Sequence, residues 1–181
     1  MKSNEPTIYI ICGKARTGKD TLCDFIMEEL KKQNKKCAEL KLSKYIKGYA
    51  IDFFGWNGSE ETKPRDFLNV IGDRIRNDLN LKFFMANRLC EDAKVLSYFF
   101  DSFIISDARF KNEVNFIKNS FKNAKVIHLI RSGDYEDGLT EEQRKHVTEI
   151  DLDDFNEYDY TIDNNGTLED LREKAIKLIN S

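Results

Sequence analysis

Apolar residues near the start of the chain change from a continuous run to a helical spacing on either side of a glycine-containing loop. Residues 7–12 (TIYIIC) are mostly β-branched or aromatic, which is typical of a strand buried on both faces of a parallel sheet. In residues 21–33 the apolar side chains recur every three or four positions, which predicts an amphipathic helix. The pattern therefore predicts a strand, a loop and a helix in that order.

Strand-like and helix-like segments alternate along the rest of the chain. Short apolar runs predict four more strands, and amphipathic segments predict helices between and after them. Because such alternation with right-handed crossovers builds a parallel sheet covered on both faces, we expect an α/β fold. The predicted strands are 37–42, 103–106, 125–130 and 160–162, and the predicted helices lie at 112–119, at 168–179 and within 44–99, where residues 57–59 interrupt them.

Composition and charge limit the classes of protein to which the chain can belong. With 181 residues it has the length of one domain, so we predict a single domain over residues 1–181 with a helical insertion at about 44–100. The formal net charge of -3 argues against a nucleic-acid partner, because such binders usually carry a basic excess. The start MKSNEP has no apolar signal core, and no apolar stretch is long enough to span a bilayer. We therefore expect a cytoplasmic protein, a monomer or homodimer, with no membrane partner.

The loop GKARTGKDT has the glycine spacing and the lysine of a Walker A phosphate loop, and it lies between a strand and a helix as that motif requires. Gly13 and Gly18 allow backbone N–H groups to point at phosphate oxygens, and the helix N-terminus adds further donors. Lys19 adds a positive charge for the β- and γ-phosphates. A strand-to-helix turn with a solvated lysine is the alternative. The predicted ATP-binding residues of the loop are Gly13, Lys14, Ala15, Arg16, Thr17, Gly18, Lys19, Asp20 and Thr21.

One position of this loop departs from the strict motif. Asp20 stands where Ser or Thr usually follows the lysine and ligates Mg²⁺, and Thr21 comes one residue later. The sequence leaves the metal ligand open between Thr21, Asp20 acting through a water, and neither of them directly.

A second carboxylate follows the apolar run FIIS. Asp107 lies at the carboxyl end of this predicted strand, where open parallel sheets bind their ligands, and it is a candidate to hold Mg²⁺ or its water. The alternative is that Asp107 caps the following helix. Arg109 is two residues further on and is expected to face the same crevice.

Two more arginines are candidates for phosphoryl transfer, which needs several cations because the charge is spread over donor and acceptor oxygens. Arg131 directly follows a predicted strand. Arg144 lies in a polar segment at about 132–148, which we interpret as a lid because it contains two glycines and a capping box formed by Thr140 and Gln143. A solvated position on the helix surface is the alternative for Arg144.

Basic residues of the helical insertion are candidates to bind the phosphate of an acceptor. Lys47, Arg65 and Arg76 belong to this set, together with Arg109 at the sheet edge. Ordinary surface ion pairing is the alternative for the arginines of the insertion.

Three blocks downstream of the loop add a family resemblance. They are Asp107–Glu113 (DARFKNE), the pair His146 and Glu149 (HVTE), and Asp163–Leu168 (DNNGTL). With these blocks the chain resembles the deoxynucleoside monophosphate kinase family of P-loop kinases over nearly its whole length. The resemblance implies a three-layer αβα P-loop NTPase fold with five parallel strands, an acceptor-binding helical insertion and a mobile lid over ATP and Mg²⁺.

The resemblance also implies roles for individual residues. The loop with its lysine would bind the donor phosphates, and one carboxylate and one arginine would lie at the reaction centre. Two lid arginines and two asparagines near the donor adenine complete the implied site. In that order, the residues are Lys19, Asp107, Arg109, Arg131, Arg144, Asn164 and Asn165.

The helical insertion matches the family pattern less well. Asn69 and Asp73 stand where the family has Gln and Thr, in a helix that lines the acceptor pocket. The loop also resembles that of animal-type phosphomevalonate kinases, a related group with another acceptor.

We expect a kinase that transfers the γ-phosphate of ATP to a (deoxy)nucleoside monophosphate. The alternatives are a kinase of another phosphorylated metabolite, such as phosphomevalonate, and a non-catalytic nucleotide-binding module.

Overall fold

A computed structural model describes residues 5–133, 135 and 138–181. The strands are β1 (Thr7–Cys12), β2 (Cys37–Leu40), β3 (Ser102–Ile105), β4 (Ala124–Ile130) and β5 (Tyr160–Asp163). The helices are α1 (Lys19–Lys32), α2 (Lys44–Phe54), α3 (Arg65–Asp73), α4 (Phe84–Leu96), α5 (Lys111–Ser120), α6 (Glu141–Lys145), α7 (Val147–Ile150) and α8 (Leu168–Ile179), and a π-helical turn, Arg74–Asp78, continues α3.

The five strands form one parallel sheet in the order β2-β3-β1-β4-β5. β1 is central, and its Ile10 is in register with Ile105 of β3 and Val126 of β4. The predicted α/β fold with a five-stranded parallel sheet is therefore confirmed. Because all strands run in the same direction, their carboxyl ends meet at one edge of the sheet.

The alternating side chains of β1 belong to two different hydrophobic cores. Ile8, Ile10 and Cys12 pack with α4 and α5 on one face of the sheet. Tyr9 and Ile11 pack with α1 and α8 on the other face. Helices thus cover both faces, which explains why residues 8–12 of this strand are all apolar or aromatic.

Outside the helical insertion, two element boundaries differ from the sequence prediction by two residues, and the others by one residue at most. α1 begins at Lys19, two residues early, because the phosphate loop turns into the helix directly at Gly18. β2 ends at Leu40, two residues early, because the N–H groups of Leu42 and Ser43 bond to the carboxylate of Asp107 and not to a strand.

The region between β2 and β3 is helical, as predicted, but it contains two breaks where the sequence predicted one. The first break, residues 55–64, includes the predicted positions 57–59. The second follows the π-helical turn, where Asn80 adopts a left-handed conformation with φ 52° that an α-helix does not continue through. The bounds of the insertion stay a prediction.

The segment predicted as a lid contains the short helices α6 and α7. Thr140 and Gln143 form the predicted capping box at the start of α6, which is confirmed in both directions of hydrogen bonding. Residues 134, 136 and 137 of the predicted lid lie outside the described residues. Within the part of the chain that the structure describes, no helix is long and apolar enough to cross a bilayer.

Candidate active site

The phosphate loop is fixed by two glycines that leave no room for a side chain. A Cβ on Gly13 would lie 2.5 Å from the carbonyl oxygen of Leu129, so only glycine lets the loop pass so close to β4. Gly18 has φ +98°, and a Cβ there would lie 2.6 Å from the side-chain amide of Asn164. The loop therefore leaves β1 and enters α1 along a path that depends on both glycines.

Lys19 is buried and folds back over the loop. Its Nζ donates to the carbonyl oxygens of Gly13, at 2.8 Å, and of Lys14, at 2.6 Å. Burial and, to a lesser extent, the positive charge of the nearby Arg109 lower the pKa of Lys19 to about 8. The lysine thus stands in a pocket that disfavours its charge until an anion is added.

The other side chains of the loop contact elements that pack against it. Thr17 is buried and its hydroxyl donates to the carbonyl oxygen of Lys14 at 2.9 Å. Lys14 itself binds the carboxylate of Asp153. Arg16 has a left-handed φ of 54° and lies against the backbone of Gly138 in the predicted lid.

The two asparagines after β5 contact the loop and the start of the predicted lid. The side-chain amide of Asn164 donates to the carbonyl oxygen of Thr17 at 2.8 Å. The side-chain oxygen of Asn165 accepts from the N–H of Ser132 at 2.7 Å. Both thus hold elements of the site in position, and their proximity to an adenine stays a prediction.

Asp107 follows β3 and contacts the chain before α2. Its two carboxylate oxygens accept from the N–H groups of Leu42, at 2.8 Å, and Ser43, at 3.0 Å. The alternative that Asp107 caps the following helix is wrong, because the amides it binds lead into α2. A carboxylate has about four lone-pair sites, so Asp107 can also accept from a water or a cation.

A second group of side-chain oxygens lies near the ends of β2 and β3. The Ser106 hydroxyl lies 2.6 Å from a carboxylate oxygen of Glu39 and 3.2 Å from one of Asp20, and Lys41 pairs with both carboxylates. Thr21, on the first turn of α1, is half-buried. Among the described residues, no three His, Cys, Asp or Glu side chains come together as a metal site.

Arg109 lies between two carboxylates. Its guanidinium Nη1 is 2.5 Å from Oε1 of Glu149, and its backbone N–H donates to Oε2 of Glu113 at 3.2 Å. Glu113 is only 4% exposed, and burial raises the pKa of its carboxyl to about 7. The predicted reaction-centre arginine is therefore held beside the phosphate loop.

Arg76 is a half-buried cation of the helical insertion. Its guanidinium stacks over the ring of Phe110, with Cζ 4.1 Å from the ring centroid. Within residues 5–133, 135 and 138–181, its buried Nε and Nη1 have no hydrogen-bond partner. Gly72 makes room for this side chain, since a Cβ there would lie 2.7 Å from Nη1.

The other predicted acceptor cations surround one carboxylate on the insertion. Glu60 lies 2.7 Å from Nζ of Lys63, 3.9 Å from the guanidinium of Arg65 and 4.0 Å from Nζ of Lys47. Burial and the neighbouring Lys63 lower the pKa of Lys47, while Asp107 acts in the opposite sense. Lys47 is thus within electrostatic reach of the sheet edge, whereas Arg65 is largely exposed.

The two predicted lid arginines are exposed. Arg131 lies over the ring of Tyr135, with Cζ 5.1 Å from the ring centroid. Arg144 lies in the last turn of α6. Lys19 and Arg109 therefore lie close together beside the phosphate loop, Asp107 lies at the end of β3, and both predicted lid arginines are exposed.

Sequence reasoning missed four polar residues of the site. Glu149 and Glu113 belong to the HVTE and DARFKNE blocks, which were noted only for a family resemblance. Glu113 follows Arg109 by four residues, a spacing that could have indicated a contact at a helix start. Glu39 and Ser106 gave no signal, because only the sheet register brings them together.

Solved structures with a similar fold include several kinases. The APS kinase of Mycobacterium tuberculosis, in a mutant form, is 10% identical with a TM-score of 0.57, over 98% of this chain and 99% of that chain. The same enzyme in complex with AMPPNP and APS gives a TM-score of 0.55, with the same identity and coverage. The shikimate kinase of Bacteroides thetaiotaomicron is 13% identical with a TM-score of 0.54, over 97% and 99% of the two chains. Identity this low indicates a shared fold, that of P-loop kinases, and nothing finer.

A family model describes most of the chain. No curated protein matches the sequence. Residues 44–175 match the model of the deoxynucleotide monophosphate kinase family, which is more than half of the chain. The matched region includes Arg76, Arg109 and Glu149, while the phosphate loop precedes it and is identified from its own residues. The chain has the fold of the P-loop kinases and belongs to the deoxynucleotide monophosphate kinase family.

Proposed function

We propose that the protein transfers the γ-phosphate of ATP to a (deoxy)nucleoside monophosphate and forms the diphosphate. The observation that carries the proposal is the guanidinium of Arg76, whose buried Nε and Nη1 have no hydrogen-bond partner in the described part of the chain. A buried donor without a partner costs free energy, so such a group favours an anion that comes from outside the protein. The family and the fold support a phosphotransferase.

The position of Arg76 supports a phosphate acceptor next to the donor site. Arg76 stacks on Phe110, the residue directly after Arg109, and shares the electrostatic environment of Glu113. Glu113 in turn accepts from the backbone of Arg109 beside the phosphate loop. Arg76, proposed for the acceptor, and Arg109, proposed for the transferred phosphoryl group, thus lie on either side of the buried carboxyl group of Glu113.

The donor site is proposed for ATP. The loop amides, the N-terminus of α1 and Lys19 suit a triphosphate, and the similar APS kinase is known in complex with AMPPNP. Asn164 and Asn165 lie at the carboxyl end of β5, next to this loop, which supports a place for the nucleoside of ATP there. We propose Arg131 and Arg144 as lid cations that approach the phosphates when both substrates are bound.

Transfer needs positioning and charge stabilisation more than a general base. Lys19 and Arg109 would neutralise charge on the transferred phosphoryl group, and Arg76 would hold the acceptor phosphate in line with it. The oxygens of Asp20, Thr21 and Asp107 would be the candidates to hold Mg²⁺, which takes few protein carboxylates together with substrate phosphates. When bound, Mg²⁺ would neutralise negative charge on the donor phosphates.

An aromatic hollow on the insertion supports a nucleotide as the acceptor. The hollow has a volume of about 510 Å³ and is lined by Phe54, Trp56 and Phe67 among others. Phe54 lies seven residues after Lys47 on the same face of α2, about 10 Å along the helix axis. Lys47 near the sheet edge suits the phosphate of a nucleotide. The flat apolar walls of the hollow, one nucleotide length away, suit its base.

The proposal predicts ADP formation that depends on the acceptor. With ATP and Mg²⁺, we expect a coupled ADP-release assay to show turnover with at least one ribo- or deoxyribonucleoside monophosphate. Replacement of Lys19 by alanine removes the charge on the donor phosphates and should lower the rate by at least about 10²–10³-fold.

The same assay, with phosphomevalonate added to the set of acceptors, distinguishes the alternative functions. Phosphomevalonate as the only active acceptor would overturn the nucleotide assignment in favour of another phosphorylated metabolite. A panel without any activity, or ATP hydrolysis at full rate without an acceptor, would contradict a kinase and favour a nucleotide-binding module.

A charge-removing variant of Arg76 tests the acceptor site. We expect Arg76→Gln to raise the KM of the acceptor by roughly 10–100-fold, because a hydrogen bond to a charged group is lost. The KM of ATP should stay within about twofold. Arg88→Gln is the matched control, since Arg88 also stacks on a ring, that of Phe84, but on α4. An unchanged acceptor KM, or a rise in the KM of ATP alone, would contradict this assignment.

Because the pKa of Lys19 is lowered, we predict that ATP binding takes up a proton when the pH of the solution is above that pKa. Free Lys19 is largely neutral at pH 9 and charged at pH 7.5, because its pKa is about 8. A bound triphosphate favours the charged form, so binding should take up close to one proton at pH 9 and much less at pH 7.5. Calorimetry in two buffers of different ionisation enthalpy measures this number. Equal uptake at both pH values would be inconsistent with a neutral Lys19 in the free enzyme.

A further inference from the structure

Helix α7 carries a carboxylate into the phosphate loop. Oε2 of Glu149 accepts from the backbone N–H of Ala15 at 3.3 Å, and Oε1 lies 2.5 Å from Nη1 of Arg109. The backbone oxygen of Glu149 also accepts from Nζ of Lys14. The Glu149 side chain is only 13% exposed, so it is held inside the cleft and not on its rim.

The groups around Glu149 are those that bind a phosphate. The carboxylate contacts one amide of the phosphate loop and one arginine, and it lies close enough to Lys19 to raise the pKa of that lysine. Backbone N–H groups of such a loop, a lysine and an arginine are also the ligands of the transferred phosphate in P-loop enzymes. Glu149 therefore stands where a phosphate oxygen of the donor would bind.

We propose that Glu149 is a positioning residue that holds the phosphate loop and Arg109 in place before a nucleotide binds, and that the incoming triphosphate displaces it. The inference rests on the proposed function only for the assignment of the loop as a triphosphate site. Two anions cannot share the Ala15 amide and the Arg109 guanidinium without strong repulsion. A triphosphate carries more charge than one carboxylate and makes more contacts, so the carboxylate leaves.

The displacement gives Glu149 opposite effects on the positions of the two cations and on the affinity for phosphate. Before the donor binds, the carboxylate offsets the repulsion between Arg109 and Lys19 and keeps both cations near the loop. During binding, the same carboxylate competes with the phosphate and weakens affinity. Removal of its charge should therefore tighten phosphate binding, whereas loss of an ordinary structural contact would weaken it.

Binding of inorganic tripolyphosphate to the full chain tests the displacement without any acceptor or nucleoside. We expect Glu149→Gln to lower the Kd of tripolyphosphate about tenfold, as measured by calorimetry, because one competing charged hydrogen-bond acceptor is removed. Asp154→Asn is the matched control: it removes the same charge from the same region, but Asp154 pairs with Lys111 and is largely exposed. Its Kd should stay within about twofold of the wild-type value.

Steady-state kinetics separate this role from a merely structural one. In Glu149→Gln the KM of ATP should fall, because the competing carboxylate is gone, whereas loss of a merely structural contact would raise it. Tripolyphosphate binding needs no turnover. A tighter Kd in a chain without kinase activity would uphold the displacement and contradict only the proposed function.

Three results would overturn the displacement. Unchanged or weaker tripolyphosphate binding by Glu149→Gln is one, and equal tightening by Asp154→Asn, which would indicate general electrostatics, is another. If Glu149→Gln does not fold, hydrogen exchange of the wild-type chain decides. Tripolyphosphate should speed exchange of the α7 amides, because α7 loses its contacts with the loop, and slower or unchanged exchange is the third contradicting result.

Discussion

One cleft holds three cations, Lys19, Arg109 and Arg76. Their arrangement depends on how the protein offsets the repulsion between them and the cost of burying their charges. The free protein uses a different device for each. Lys19 has a lowered pKa, Arg109 pairs with a carboxylate, and Arg76 stacks on an aromatic ring. None of these devices neutralises the cleft as well as phosphates would. Its physical chemistry therefore favours anionic substrates.

The parallel sheet makes this concentration of charge possible. The loop with Gly13, the carboxylate of Asp107 and the amide of Asn164 each follow a different strand, and the strand order brings their ends to one edge. Asp107 also fixes the start of α2, the helix that carries Lys47. Asp107 thus ties the helical insertion to the carboxyl edge of the sheet.

Much of this arrangement could be predicted from the sequence, for identifiable reasons. The five strands and the phosphate loop follow from local apolar runs and glycine spacing, which act over a few residues. The partners of Glu149 could not be predicted, because Ala15 lies 134 residues away from it along the chain. The left-handed Asn80, which breaks the insertion a second time, was also missed, because asparagine tolerates the left-handed conformation but does not require it.

If the cleft holds a triphosphate and a monophosphate at once, a single molecule that spans both sites should bind far more tightly than either substrate. Two nucleosides joined by five phosphates form such a molecule, and its Kd can be measured by calorimetry against that of ATP. We expect binding at least about 10²-fold tighter than that of ATP, because the second site is filled without a second loss of translational freedom. An affinity equal to that of ATP would contradict a cleft built for two phosphate-bearing substrates.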